Sequence, residues 1–291
     1  MEQFIIGIDV GGTTYSSTLF DNDLNRVKSS SKELIKNHNS TDHLLEGIAE
    51  QINSLTNKNN IGNIIGIGVS CPGPLDSITG RILNTPNLKL LQNVNLKKEL
   101  EKRSGVPIAI ENDANLFAFG EWFSNGARNE IFGAVTLGTG LGFGVIINKS
   151  IYTGAHGLAT EYAISPLETG NWETKVSIRA IKEISKKYMK DSNHLEPIDI
   201  FNKASENDSG AIDTWNKFGE NLGNVLSHFI NMIDPHKISI GGGLSGSYNF
   251  FENTMKETVS LYSPAYKNYN IDIFESKDKE FSAQLGAALL I

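Results

Sequence analysis

Cysteine is nearly missing from this 291-residue chain, where Cys71 stands alone. One thiol can build neither an internal disulfide nor a multi-cysteine metal site, so a reducing compartment is expected, and the cytoplasm is the simplest address. Basic residues are also scarce: 26 Lys and Arg face 33 Asp and Glu, for a formal net charge of -7. A general binder of nucleic acid or of a membrane surface carries a basic face to meet phosphates, and this balance argues against both. Long apolar runs are absent too. No segment approaches the roughly 18 apolar residues that cross a bilayer, and Met1-Glu2-Gln3-Phe4-Ile5-Ile6-Gly7 has no basic region ahead of a long apolar stretch. Neither secretion nor a membrane span is expected. What is present is a 39% hydrophobic composition, enough for two globular lobes with cores of their own. Small-molecule chemistry is the class left standing.

Apolar runs such as Phe4 to Val10 and Ile64 to Val69 read as strands, and they alternate with stretches of helical spacing. That rhythm indicates an α/β protein. Leu44, Leu45, Ile48, Ile52 and Leu55 share one helix face. Ile212, Trp215, Phe218, Leu222, Val225, Phe229 and Ile233 make a longer stripe, which Asp234-Pro235 ends because proline disfavours helical geometry before itself. No Pro-rich, Ser-rich or single-charge linker divides the chain, so its domain boundary must come from repetition. One repetition is visible. Ile5 to Val10 runs into Gly11-Gly12-Thr13-Thr14 and then into an apolar stretch through Phe20; Phe132 to Leu137 runs into Gly138-Thr139-Gly140-Leu141-Gly142 and then into Val145, Ile146 and Ile147. Both read as strand, glycine-rich turn, strand.

Glycine in such turns permits positive φ and lets a ligand approach bare backbone, so successive N–H groups can converge on an anion. A single turn is equally well a tight hairpin. Two matched turns with hydroxyl residues beside the glycines point to a gripped polyphosphate, although neither carries the P-loop ending or the dinucleotide spacing. Asp9 ends the first strand, where a carboxylate is costly unless bound; a Mg²⁺ ion on ATP phosphates would bind it, as would the turn's own N–H groups. Asp113 lies in Glu111-Asn112-Asp113-Ala114-Asn115, where a strand gives way to a helix. The position suits a helix N-cap as well as a general base. Phosphoryl transfer to an alcohol requires such a base beside a donor-lined triphosphate, which favours catalysis. Gly241-Gly242-Gly243 follows a further strand and could lie against an adenosine; Gly286-Ala287-Ala288 reads as small-residue packing at an interdomain hinge.

Asp9-Val10-Gly11-Gly12-Thr13, Pro72-Gly73-Pro74, Thr85-Pro86-Asn87-Leu88, Glu111 to Asn115, Gly138 to Gly142, Gly154-Ala155-His156-Gly157-Leu158-Ala159-Thr160-Glu161 and Gly241 to Gly243 resemble, in order, the motifs of the ROK family of repressors and sugar kinases. The resemblance runs along almost the whole chain. It implies an actin-like ATPase (ribonuclease H-like) fold: two lobes, each a mixed sheet flanked by helices, closing on a sugar with ATP behind it. The expected small lobe is 1–115 with 281–291, and the large lobe is 116–280. Asp113 becomes the catalytic base, while Gly73, Asn87, Asn112, Glu161 and Glu173 contact the sugar. Asp9, Gly11, Gly12, Thr13, Thr14, Gly138, Thr139, Gly140, Gly142, Gly241, Gly242 and Gly243 bind ATP and its Mg²⁺, with Asp9 toward the metal. A homodimer is implied.

One departure is large. Family members commonly carry Gly-His and a cysteine-rich zinc loop after the first sugar-binding Glu, whereas this chain has Glu161-Tyr162-Ala163-Ile164-Ser165-Pro166-Leu167-Glu168-Thr169-Gly170-Asn171-Trp172-Glu173. That segment cannot assemble the four ligands of a closed zinc site. No zinc is expected, and the loop must be fixed by packing of Trp172, Leu167 and Pro166. Ile164 at the His position suits the methyl of an N-acetyl group, and zinc-less members include N-acetylmannosamine kinases of sialic acid breakdown. N-acetylmannosamine is therefore the favoured substrate, with glucose or another hexose as the alternative. A sugar-sensing repressor would carry a helix-turn-helix domain ahead of the first strand, which here begins within a few residues of Met1. A silent sugar-binding module has little need of both Asp9 and Asp113. A chaperone-type ATPase would not need the sugar motifs.

Overall fold

The computed structural model describes residues 2–56, 63–127, 130–190, 192–278 and 281–291. They form two compact units. The first comprises Met1–Arg128, Thr153–Leu158 and Asp278–Ile291; the second comprises Asn129–Tyr152 and Ala159–Lys277.

In the first unit the chain forms β1 (Gln3–Val10), β2 (Thr14–Asp21), β3 (Arg26–Ser29), β4 (Glu33–Leu34), α1 (Thr41–Thr56), β5 (Asn63–Cys71), the short pair β6 (Leu75–Asp76) and β7 (Arg81–Ile82), α2 (Leu96–Ser104), β8 (Ile108–Asn112) and α3 (Asp113–Ser124). The sheet runs β3-β2-β1-β5-β8, with β4 also on β2. β1, β5 and β8 are mutually parallel, while β1 and β2 form an antiparallel hairpin. The predicted apolar runs supply its centre. Ile6, Ile8 and Val10 are fully buried and join Leu44, Leu45 and Ile48 of α1 in one core.

The last helix of the chain, Ser282–Ala288, covers the other face. Bare backbone lets it sit close: a Cβ on Gly7 or Gly68 would collide with the carbonyl oxygen of Gln284 or Ala287. Its Gly286 lies against Leu116 of α3. The small-residue patch expected at a hinge is thus packing inside the first unit. That packing also keeps α3 whole within the unit, so the division falls beyond α3 and not after residue 115.

The second unit contains β9 (Phe132–Leu137), β10 (Leu141–Ile147), β11 (Ser150–Ile151), α4 (Ile178–Tyr188), α5 (Pro197–Ser205), α6 (Ser209–Ile233), β12 (Lys237–Gly241), α7 (Tyr248–Tyr262), α8 (Pro264–Asn268) and β13 (Asp272–Glu275); the closing helix, Ser282–Ala288, is then α9. Its sheet runs β11-β10-β9-β12-β13. The hairpin β9–β10 is antiparallel and β9–β12 parallel, the arrangement that β2, β1 and β5 make in the first unit. The repeated strand, turn, strand pattern is therefore a repeated hairpin. The long stripe is α6: Trp215, Phe218, Leu222, Val225 and Phe229 are buried in the core. Asp208 caps its start, and Asp234 ends it with φ 49, just before Pro235.

Candidate active site

In the first unit the C-terminal ends of β1, β5 and β8 lie on one sheet edge, the place where open α/β sheets bind ligands. Register brings the acidic residues there. Asp9 pairs with Ser70, Ser70 with Glu111, and Cys71 with Asn112. Ser70 Oγ donates to Asp9 Oδ1 at 2.7 Å. Burial raises the Asp9 carboxyl above its ordinary range, against the lowering effects of that bond and of Lys32. Cys71 is fully buried, and its thiol is pushed far up by burial, then by the charges of Asp113 and Asp9. The thiol stays protonated, which excludes it as a nucleophile. Register sets Asp9 beside Ser70 and Asn112 beside Cys71, so Asp9 and Asp113 stand at neighbouring strand ends.

Asn112 is the helix cap. Its Oδ1 accepts from the backbone N–H groups of Ala114 (2.9 Å) and Asn115 (3.3 Å), while Asp113 opens α3 with Oδ1 accepting from Ala114 at 2.9 Å. Asp113 thus stands in the first turn of α3, beside the capping Asn112. Glu111, buried, accepts from Asn112 N–H (2.7 Å) and Asn115 Nδ2 (3.2 Å) and so braces the junction.

The first glycine turn is closed by Gly11 N–H donating to the Thr14 carbonyl at 2.8 Å. Asn87 lies against it, since a Cβ on Gly12 would come 3.0 Å from the Asn87 carbonyl oxygen. Leu83 N–H and Thr85 Oγ1 both donate to the Pro74 carbonyl, tying the segment after Gly73 to the one carrying Asn87. Asp9, Gly11, Gly12, Asn87, Asn112 and Asp113 are thus all set on or beside the strand ends of one unit.

The second unit carries the other predicted groups. Gly138 N–H donates to Gly140 carbonyl at 3.0 Å, and Ile178 N–H donates to Gly138 carbonyl at 2.8 Å, so α4 starts at this turn. Gly142 lies past the turn, inside β10 opposite Thr136. Gly242 adopts φ 85 with its Cα pressed on Leu137, a conformation and contact that favour glycine. A Cβ on Gly138 or Gly243 would meet nothing within 4 Å, so a ligand can approach either backbone. Thr139 opens onto a cavity of about 320 Å³ lined also by Arg179, Lys182, Glu183, Ser192 and Asn193. Sequence reading missed those cations, because helical spacing alone marks them as a solvated face.

Glu173 Oε2 accepts from Leu141 N–H at 3.2 Å and so holds the second turn. The Glu161 carboxyl is raised by burial, then by the charge of Glu173. The intervening loop is held by backbone bonds such as Glu173 N–H to Ala163 carbonyl, and by the Trp172 ring against Tyr162 and His228. Trp172 packs there as expected, whereas Pro166 is exposed and contributes through its bridge to Asn171. Ile164 is 61% exposed. Among the described residues no three His, Cys, Asp or Glu side chains are grouped to hold a metal, and no helix is long and apolar enough to cross a membrane.

The chain is 29% identical to a glucokinase of Thermotoga maritima, over 99% of this chain and 96% of that protein. It is 29% identical to a xylose repressor of Bacillus subtilis, over 92% of this chain and 72% of the repressor. Among solved structures, a ROK family glucokinase of Streptomyces griseus, in complex with glucose and AMPPNP, superposes with TM-score 0.84 at 22% identity, over 99% and 98% of the two chains. A Listeria monocytogenes protein described as a candidate N-acetylmannosamine kinase superposes with TM-score 0.80 at 22% identity, again over 99% and 98%. The fold is the actin-like ATPase fold. The ROK family model matches residues 5–291, and the chain belongs to the ROK family.

Proposed function

We propose that this protein is an ATP-dependent carbohydrate kinase with Asp113 as its base. The observation that carries the reading is the placement of Asp9 and Asp113 at neighbouring strand ends, beside Ser70 and Cys71, in a ROK chain. Asp113 accepts the proton of a sugar hydroxyl as that oxygen bonds to the γ-phosphorus. The bond from phosphorus to the β,γ-bridging oxygen breaks, and its electron pair leaves with ADP. Gly73, Asn87, Asn112, Glu161 and Glu173 are the proposed sugar contacts. The residues fit a nucleotide with its metal. The backbones at Gly138 and Gly243 are open, and the desolvated Asp9 carboxyl is a group that a cation stabilises. Gly11 to Thr14, Gly138 to Gly140 and Gly241 to Gly243 would bind ATP, and Asp9 would hold Mg²⁺ directly or through water; the bound ion would neutralise phosphate charge.

N-acetylmannosamine, phosphorylated at its 6-hydroxyl in sialic acid breakdown, is the proposed substrate, supported by Ile164 and by the missing cysteine loop. Glucose is the alternative, supported by the Thermotoga relative. ADP release against a sugar panel decides: N-acetylmannosamine should give the highest kcat/KM, and faster turnover of glucose would reverse the assignment. A sugar-binding regulator without catalysis is the second reading, favoured by the repressor relative; it would bind sugar and release no ADP. A homodimer belongs to the same proposal, as does a cytoplasmic setting.

The packed loop carries a further expectation. A zinc-selective chelator at saturating Mg²⁺ should leave both Tm and turnover unchanged, and a drop in either would restore a structural zinc.

A further inference from the structure

The first glycine turn, Asp9 to Thr14, contains no lysine or arginine. Phosphoryl transfer nevertheless gathers the charge of a triphosphate beside one carboxylate that holds metal and another that takes a proton, and positive side chains are the usual complement. The sheet brings one there from outside the turn.

Two residues, Ser16 and Ser17, separate Tyr15 from Thr18 on β2, while three, Ser30, Ser31 and Lys32, separate Ser29 from Glu33 on the facing chain. Ser30 N–H donates to the Ser17 carbonyl at 2.8 Å, so Ser31 and Lys32 together oppose Ser16. This is a β-bulge, a feature that re-aims a side chain. Its direction follows from alternation along a strand. Tyr15 points toward α1, its hydroxyl lying against Gly47 of that helix and meeting His38, ahead of the helix, at 3.1 Å, and Glu33 opposes Tyr15. Ser16 points to the other face, where Gln284 Nε2 of α9 donates to its Oγ at 2.8 Å. Lys32, one residue before Glu33, takes the face of Ser16. Asp9 pairs with Ser16 in the next ladder and shares that face. Lys32, Ser16 and Asp9 therefore lie on one line across the sheet. Adjacent strands are about 4.8 Å apart, so an extended lysine reaches over Ser16 toward the Asp9 carboxylate. The charge of Lys32 is felt there, opposing the effect of burial. The residue is exposed.

We propose that Lys32 is the cation that meets the phosphates of the donor beside Asp9, and that it contributes to transfer through charge and not through folding. The proposal rests on the kinase reading. In the full-length protein, Lys32→Gln should lower kcat/KM for MgATP by about 10²-fold, the scale of one lost electrostatic contact to a developing charge. KM for the sugar and the unfolding midpoint should be unchanged, and Lys32→Arg should recover most of the loss. MgATP binding, read by calorimetry without sugar, should weaken in Lys32→Gln and recover in Lys32→Arg. Lys32→Gln within threefold of wild type in both assays would overturn the proposal, as would equal losses in both variants accompanied by weaker sugar binding. Wild type that transfers no phosphoryl group would sink the kinase reading alone. The calorimetric arm would then decide Lys32: weaker MgATP binding by Lys32→Gln supports it, and equal binding overturns it.

Discussion

Asp113→Asn is expected to lower kcat by ~10²–10⁴-fold, the range for a lost acid-base group, while MgATP and sugar still bind. The amide keeps the size of the carboxylate and can keep the bond from Ala114 N–H to the side-chain oxygen. The capping oxygen belongs to Asn112, so the start of α3 should survive the change. What is lost is the capacity to take a proton. The loss should therefore appear in kcat, with KM for either substrate changed little. Sugar and nucleotide titrations of the variant separate this outcome from a collapsed site.

Gly286→Val should have the largest effect on stability, a loss of about 3 kcal/mol or more, at the upper end for an overpacked core. A Cβ at this position would strike the Leu116 carbonyl of α3, and backbone cannot swing aside as a flexible side chain can. Relief is blocked on every side. Gly120 of α3 is pressed against the Ser282 carbonyl, and Gly7 and Gly68 of the sheet are pressed against Gln284 and Ala287. Ser282 also hydrogen-bonds the buried Glu121 carboxylate, and Thr18 hydrogen-bonds Gln284. Moving α9 to admit an isopropyl group would break these bonds. A urea midpoint equal to that of wild type would show that α9 is loosely seated.

How much of this was legible in the sequence depended on whether a signal was local. The run into Gly11 and Gly12 and the run into Gly138 are hairpins because strand and turn chemistry are adjacent in the chain. The junction at Asn112 and Asp113 was readable for the same reason, although the division of labour was not: either residue suits a cap, and only geometry assigns the cap to Asn112. Ser70 was invisible. It serves Asp9 from 61 residues away, through a register that no local pattern encodes. Lys32 was hidden in the same way, its direction set by a one-residue bulge opposite Ser16. Gly142 was read into the turn because a glycine gives no sign of whether it ends a loop or sits in a strand; in the sheet it opposes Thr136. Gly286 showed close packing, but composition could not name the partner as Leu116.

In the proposed reaction Asp113 removes a proton from a sugar hydroxyl while phosphorus changes hands. Single-turnover transfer of the γ-phosphoryl group from labelled ATP to N-acetylmannosamine, followed in wild type and Asp113→Asn under saturating conditions, isolates that step. The wild type should form labelled sugar phosphate and ADP in equal amounts, and the variant should hold both ligands with transfer at least ~10²-fold slower. Transfer at similar rates in the two proteins would contradict the account.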